Sequence, residues 1–276
     1  MLLLKGKPVA DRIYAELKQK IQSFKLQPHL VVMLVGDDPA SKVYVSHKQK
    51  ACAELGFRST LVKLSADATE QEVANEIKHL NSNPDVDAIL LQLPLPGHLN
   101  AKQMTNLISP EKDADSLTHT SMGRLVASDH KVASCTPAGI IEMFKHYDIE
   151  LSGQRVLVIG RSLIVGMPMF HLLTQRNATV TLAHSKTEDL KELVKQFDIV
   201  VVAVGKPHFL KATDFKKDAV VVDVGIHRTD DGLIGDVNAE GAEAHLRALS
   251  PVPGGVGPLT IAMLMRNTFT LASARA

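Results

Sequence analysis

Four side chains in the first half of the chain could together bind and protonate a polar heterocycle: Tyr44, Lys48, Gln92 and Asp115. Tyr44 and Lys48 are four apart on one predicted helix, so they share a face. Gln92 stands at the carboxyl end of the predicted strand Asp87–Leu93, and Asp115 follows in a loop. In open α/β sheets, ligands gather outside the carboxyl ends of strands. Singly, each residue has an ordinary explanation. A lysine on a helix is usually a solvated charge, and a lone tyrosine usually packs. Only the set suggests chemistry.

A second feature is the stretch Val156–Pro168, VLVIGRSLIVGMP. An apolar run stops at Gly160, a short loop reaches Gly166, and a helix can begin at Pro168. Such a turn aims backbone N–H groups and a helix N-terminus at an anion, usually a dinucleotide pyrophosphate. Ser162 stands where the usual three-glycine fingerprint has its middle glycine, so a structural βα turn would look the same. The next strand ends at Ala183, 23 residues after Gly160. A site for NAD carries Asp or Glu about 20 residues on, to hold the ribose. Here the chain reads Ala183, His184, Ser185, Lys186, Thr187, with no carboxylate. Arg161, Ser185 and Lys186 could instead bind a ribose phosphate, which favours NADP over NAD. Read without a cofactor, Arg161 and Lys186 are ordinary solvated charges.

The elements that must position these residues alternate. Pro8–Phe24 carries one apolar stripe through Val9, Ile13, Leu17, Ile21 and Phe24 and predicts a helix. Leu30–Gly36, Ser59–Leu64 and Asp87–Pro96 predict strands, the last broken by Pro94 and Pro96. Helices are expected from Asp37 to about Leu55 and over Thr69–Leu80, with Thr69 as N-cap. Residues Gly97–Ser134 are less regular apart from a short helix near Ala101–Ile108, and a hinge is placed here. A helix then runs over Thr136–His146. The second half repeats the alternation, with strands Val156–Gly160, Thr179–Ala183, Asp198–Gly205 and Ala219–Ile226. Helices are expected near Met167–Gln175, Glu188–Phe197 and Ala239–Leu246. The apolar helix Leu259–Ala272 has few partners left there and is expected to cross back. The chain thus predicts two α/β domains with parallel sheets. Residues 1–118 plus 259–276 form one, and residues 119–258 form the other.

Composition narrows the function classes. Hydrophobic residues at 45% and charged residues at 22% suit a globular chain with a sizeable core. A net charge of +1 gives no reason to expect nucleic acid or an anionic membrane as partner. No apolar run approaches the roughly 20 residues of a membrane helix, and MLLLKGKPVA is too short for a signal peptide. Cys52 and Cys135 cannot make a zinc site alone, so no metal is expected, and a reducing cytoplasm is the expected compartment.

Six segments occur in an order that resembles a known family: Tyr44-x-x-x-Lys48, QLPLP at Gln92–Pro96, KDAD at Lys112–Asp115, CTP at Cys135–Pro137, GRSLIVGMP at Gly160–Pro168 and PVPGGVGPLT at Pro251–Thr260. They resemble the bifunctional methylenetetrahydrofolate dehydrogenase/methenyltetrahydrofolate cyclohydrolases. The resemblance implies a Rossmann-like second domain, an active-site cleft between the domains, a homodimer and tetrahydrofolate derivatives as substrates. It implies NADP-dependent oxidation of a methylene bridge, followed by hydrolysis of the methenyl product to formyltetrahydrofolate. Lys48 would be catalytic, Gln92 would modulate it, Tyr44 would pack beside the folate and Asp115 would hold the pterin ring. Gly160, Arg161, Ser162, Ile164 and Ser185 match cofactor-contacting positions, and Gly225, Ile226 and Thr260 match segments near the nicotinamide. Two residues depart from the pattern. Ser116 replaces a common Gly after Asp115, and Ser134 replaces a common Pro before Cys135. If residue 116 needs positive φ, serine costs about 1 kcal/mol there. The alternatives are a monofunctional dehydrogenase, which would lack Lys48 or Gln92, a non-catalytic dinucleotide sensor, and a dehydrogenase of the shikimate type.

Overall fold

The computed structural model describes residues 1–230 and 232–275. The chain forms two compact units, one of Ile13–Cys135 with Ile261–Ala276, the other of Met1–Arg12 with Thr136–Thr260. Two of the boundaries fall inside the helices Gly6–Phe24 and Gly257–Ser273.

In the unit holding Lys48, three parallel strands run in the order Arg58–Leu64, His29–Val35, Ala88–Leu91. The middle strand is buried along its whole length, as a continuous apolar run requires of a parallel sheet. The chain goes from this strand to one neighbour, then returns to its other side, so its carboxyl end is a topological switch point. The helix Glu70–Ser82 covers one face through Val73, Ile77 and Leu80, which pack with Val31, Met33 and Ile89. Its start is a capping box, in which Thr69 and Glu72 satisfy each other's backbone N–H. Burying each such aliphatic side chain stabilises the unit by about 2 kcal/mol.

The other unit has six parallel strands in the order Leu2–Leu3, Ala248–Leu249, Val220–Asp223, Ile199–Val202, Arg155–Ile159, Thr179–Ala183. Its core includes Leu157, Ile159, Val200, Val202 and Val221 with Phe197 and Phe215. The switch point lies between Arg155–Ile159 and Ile199–Val202.

The units divide at different places from the expected 118/119 and 258/259. Residues 119–135 stay with the Lys48 unit, because His119–Val126 is a helix capped by Thr118 rather than an irregular hinge. Met1–Arg12 joins the other unit, where Leu2–Leu3 adds an edge strand beside Ala248–Leu249. The C-terminal helix does return to the Lys48 unit from Ile261 onward. Several strands are shorter than expected: Ala88–Leu91, Ile199–Val202 and Val220–Asp223 end before their glycines or prolines begin to turn the chain. Among the described residues, no helix is long and apolar enough to cross a membrane.

Candidate active site and dinucleotide site

Lys48 lies on the helix Pro39–Leu55, which starts with Pro at its first turn and an Asp38 cap that accepts from Ser41 N. The apolar residues Val45, Cys52 and Leu55 bury one side of this helix and carry Lys48 inward with them. Gln92 follows directly on the strand Ala88–Leu91, and its backbone N–H still pairs with Met33 O. Lys48 Nζ donates to Gln92 Oε1 at 2.7 Å. Gln92 Nε2 in turn donates to Leu93 O at 2.6 Å, which fixes the amide with its oxygen toward the lysine. Both side chains are buried, at 9% and 8% exposure. Burial pushes the Lys48 ammonium below its ordinary pKa, and the neighbouring Asp115 and Cys135 oppose that shift. Tyr44, one turn earlier, is 41% exposed.

The loop bearing Asp115 is pegged by its neighbours. Lys112 O and Ala114 N bond Ile89, so the loop extends the sheet beyond the strand Ala88–Leu91. Lys112 Nζ donates to Leu80 O and Asn83 O, closing the end of the helix Glu70–Ser82. Asp113 is buried and accepts from Thr118 N and Ser121 Oγ. Asp115 remains half-buried, and its Oδ1 accepts from Cys135 N at 3.4 Å.

In the other unit, four adjacent strand ends form one rim. Gly160 N bonds Ala183 O and Ala203 N bonds Ile159 O, so the glycine turn lies between Ala183–Lys186 and Ala203–Gly205. Gly160 has φ +121, and a Cβ there would run into the Ala203 carbonyl. A Cβ on Gly166 would overlap the Gly160 carbonyl oxygen. Both glycines are therefore steric requirements of the turn. Arg161, Ser162, Leu163, Ile164, Ser185 and Lys186 are exposed around it. Ser162 Oγ accepts from Val165 N at 3.1 Å and Gly166 N at 3.5 Å, just before the helix Gly166–Thr174. Ile226 is exposed at the next strand end and approaches Gly257, one turn before Thr260. Thr260 Oγ1 shares a hydrogen bond with Thr136 Oγ1 at 2.8 Å.

The family called tetrahydrofolate dehydrogenase/cyclohydrolase, catalytic domain, matches residues 4–115. The corresponding NAD(P)-binding domain matches residues 134–276. The chain belongs to the tetrahydrofolate dehydrogenase/cyclohydrolase family. It is 49% identical to the bifunctional protein FolD of Bdellovibrio bacteriovorus, over 100% of this chain and 98% of that one. The fold matches the crystal structure of the bifunctional enzyme FolD, a methylenetetrahydrofolate dehydrogenase/cyclohydrolase from Campylobacter jejuni, with a TM-score of 0.96, 40% identity and full coverage of both chains. It also matches the Trypanosoma brucei dehydrogenase-cyclohydrolase complexed with NADP cofactor and inhibitor, with a TM-score of 0.93 and 35% identity over 100% of this chain and 99% of that one.

In this member of the tetrahydrofolate dehydrogenase/cyclohydrolase family, Ser116 and Ser134 are hydrogen-bonded neighbours. Ser116 takes φ +54, so residue 116 does need the left-handed region that glycine favours. Ser134 Oγ donates to Ser116 O, and Ser116 Oγ donates to Val132 O. Two carboxylates escaped the sequence reading. Asp223 accepts from Gly225 N, Asp236 N and Val237 N. Asp236, fully buried, accepts from Val204, Gly205 and Lys206 N and from His227 Nε2. A Cβ on Gly225 would collide with the Asp236 carboxylate, which explains that glycine. The available signal was an aspartate closing the apolar run AVVVD.

Burial raises the Asp223 carboxyl to about 6 from an ordinary 3.8. The folded state then binds more proton at Asp223 than the unfolded one across that window, so the contribution of this group to stability falls as pH rises from 3.8 to about 6. The unfolding midpoint of the wild type should therefore fall relative to that of Asp223→Asn as pH rises through the window. A difference between the two proteins that stays constant across it would detach the effect from Asp223.

Proposed function

We propose that this chain oxidises methylenetetrahydrofolate to methenyltetrahydrofolate with NADP, and hydrolyses the product to formyltetrahydrofolate. The buried Lys48–Gln92 hydrogen bond carries this reading. Hydrolysis needs a group that takes a proton from water near neutral pH. A lysine whose charge is disfavoured by burial can be that group. Gln92 Oε1 holds the Lys48 amine in one place, and Gln92 is itself oriented by Leu93 O. Asp115 accepts hydrogen bonds from the amino-pyrimidinone edge of the folate, and Tyr44 packs beside the ring. An exposed Tyr44 and a half-buried Asp115 beside two buried polar groups suit both roles.

The glycine turn fits a dinucleotide phosphate. Gly160 and Gly166 let the turn close tightly against the Ala203 and Gly160 carbonyls, and the exposed Ser162 hydroxyl and Arg161 stand at its rim. Ile164, Ser185, Gly225, Ile226 and Thr260 complete the cofactor set. NADP, when bound, supplies the hydride-accepting nicotinamide ring. Arg161, Ser185 and Lys186 offer donors to a ribose phosphate where a site for NAD would carry a carboxylate, so NADP is preferred over NAD. The chain works as a homodimer in the cytoplasm. Two buried free thiols suit a reducing compartment.

The test is absorbance with methylenetetrahydrofolate and either NADP or NAD. A methenyl-folate chromophore should appear faster with NADP and then decay. No chromophore with either cofactor would end the proposal. A chromophore that persists would remove its hydrolytic half.

A further inference from the structure

The loop around Asp115 is tied on both sides by side chains to which the reaction gives no role. Asn267, 3% exposed on the helix Gly257–Ser273, donates from Nδ2 to Ala114 O and to Ala133 O, each at 2.9 Å. Its two amide protons staple the residue before Asp115 to the segment before Cys135. Cys135 N then reaches Asp115 Oδ1 at 3.4 Å. On the other side of Asp115, Ser134 Oγ donates to Ser116 O at 3.4 Å. The Asn267 bonds have the ordinary length for N–H···O, whereas the 3.4 Å contacts are long, so Asn267 is the stronger tie. The tie is needed because Ser116 sits at φ +54, a conformation that persists only where its surroundings enforce it.

We infer that Asn267, assisted by Ser134, is a positioning residue that sets the direction of the Asp115 carboxylate and through it the affinity for the folate ring. This rests on the role proposed for Asp115 above. Asn267→Leu keeps side-chain size but leaves two buried carbonyls without their donor. It should raise the KM for methylenetetrahydrofolate about tenfold, the effect expected of such a loss, and leave the KM for NADP unchanged. Ser134→Ala removes only the longer bond and should raise the folate KM about threefold in a folded protein. A general loss of structure would instead raise both KM values. A folate KM unchanged in folded Asn267→Leu, or a parallel rise for NADP, overturns the inference. If Asn267→Leu fails to fold, an unchanged folate KM in Ser134→Ala overturns it. Wild-type protein that neither binds tetrahydrofolate by calorimetry nor turns it over overturns the functional reading first, and the inference falls with it.

Discussion

Lys48→Met should end hydrolysis while leaving the protein folded. Methionine has nearly the length of lysine, and its apolar chain suits a site that is 9% exposed. One buried acceptor, Gln92 Oε1, loses its donor, at a cost of about 1–3 kcal/mol. Offsetting this, an amine that burial disfavours as a cation is removed. Stability therefore changes little, while the proton-accepting group is gone. Such groups contribute roughly 10²–10⁴-fold, and the cyclohydrolase rate should fall by that order. Dehydrogenation, which depends more on orientation, should be lost or survive only weakly. The wild-type hydrolysis rate should also rise with pH along a limb below the ordinary lysine value, and the variant should lose the limb. Parallel measurement of rates and unfolding midpoints decides the matter. A folded Lys48→Met protein with full activity would remove lysine from the mechanism.

The second large effect is expected at the glycine turn. In Gly166→Ala, the new methyl would occupy the position of the Gly160 carbonyl oxygen, a backbone atom that cannot swing away as a side chain could. Gly160 is itself against Ala203 and cannot retreat. Overpacking of this kind costs about 1–3 kcal/mol and displaces the turn. The KM for NADP should rise at least about tenfold, since 1.4 kcal/mol corresponds to that factor. Hydrolysis of methenyltetrahydrofolate supplied directly, assigned to residues of the other unit, should persist. An unchanged KM for NADP would show that the turn does not hold the cofactor.

Much of this fold could be read from the sequence because parallel strands announce themselves. Runs such as LVVMLV and VLVI are buried on both faces, so they are continuous in apolar residues. The capping box at Thr69 and the left-handed Gly56 after Leu55 are local signals, and they mark helix ends where expected. The edge strand escaped because its partner is distant in the chain, and one helix because it is short. Leu2–Leu3 is a strand only because Ala248–Leu249 lies beside it, 246 positions on by its register. The helix His119–Val126 is only eight residues long, with Leu125 its one large apolar side chain fully buried. It is fixed by a Thr118 cap and by Asp113, whose buried carboxylate binds Thr118 N and Ser121 Oγ.

The candidate site divides in the same way. Lys48 and Gln92 were suggested by residue type and by strand ends, and a 2.7 Å bond joins them. Asn267 and Asp236 could not be found this way, because their contacts are mostly to backbone groups. Any segment has such groups, so composition carries no trace of them.

Ser162 gives the turn a different chemical character from a bare three-glycine loop. Its Oγ receives the N–H groups of Val165 and Gly166, and its own carbonyl receives Met167 N. The N–H dipoles that a glycine loop would turn outward are thus gathered onto one oxygen, and the hydroxyl proton is what that oxygen can still offer. A donor feeding this oxygen polarises its O–H, which makes the hydroxyl a better donor to an anion than a free serine would be. A rotatable proton can follow an anion through small displacements that a fixed amide cannot. For the dinucleotide phosphate proposed to bind here, the turn would thereby gain tolerance in position, within the limits set by the rigid glycines on either side.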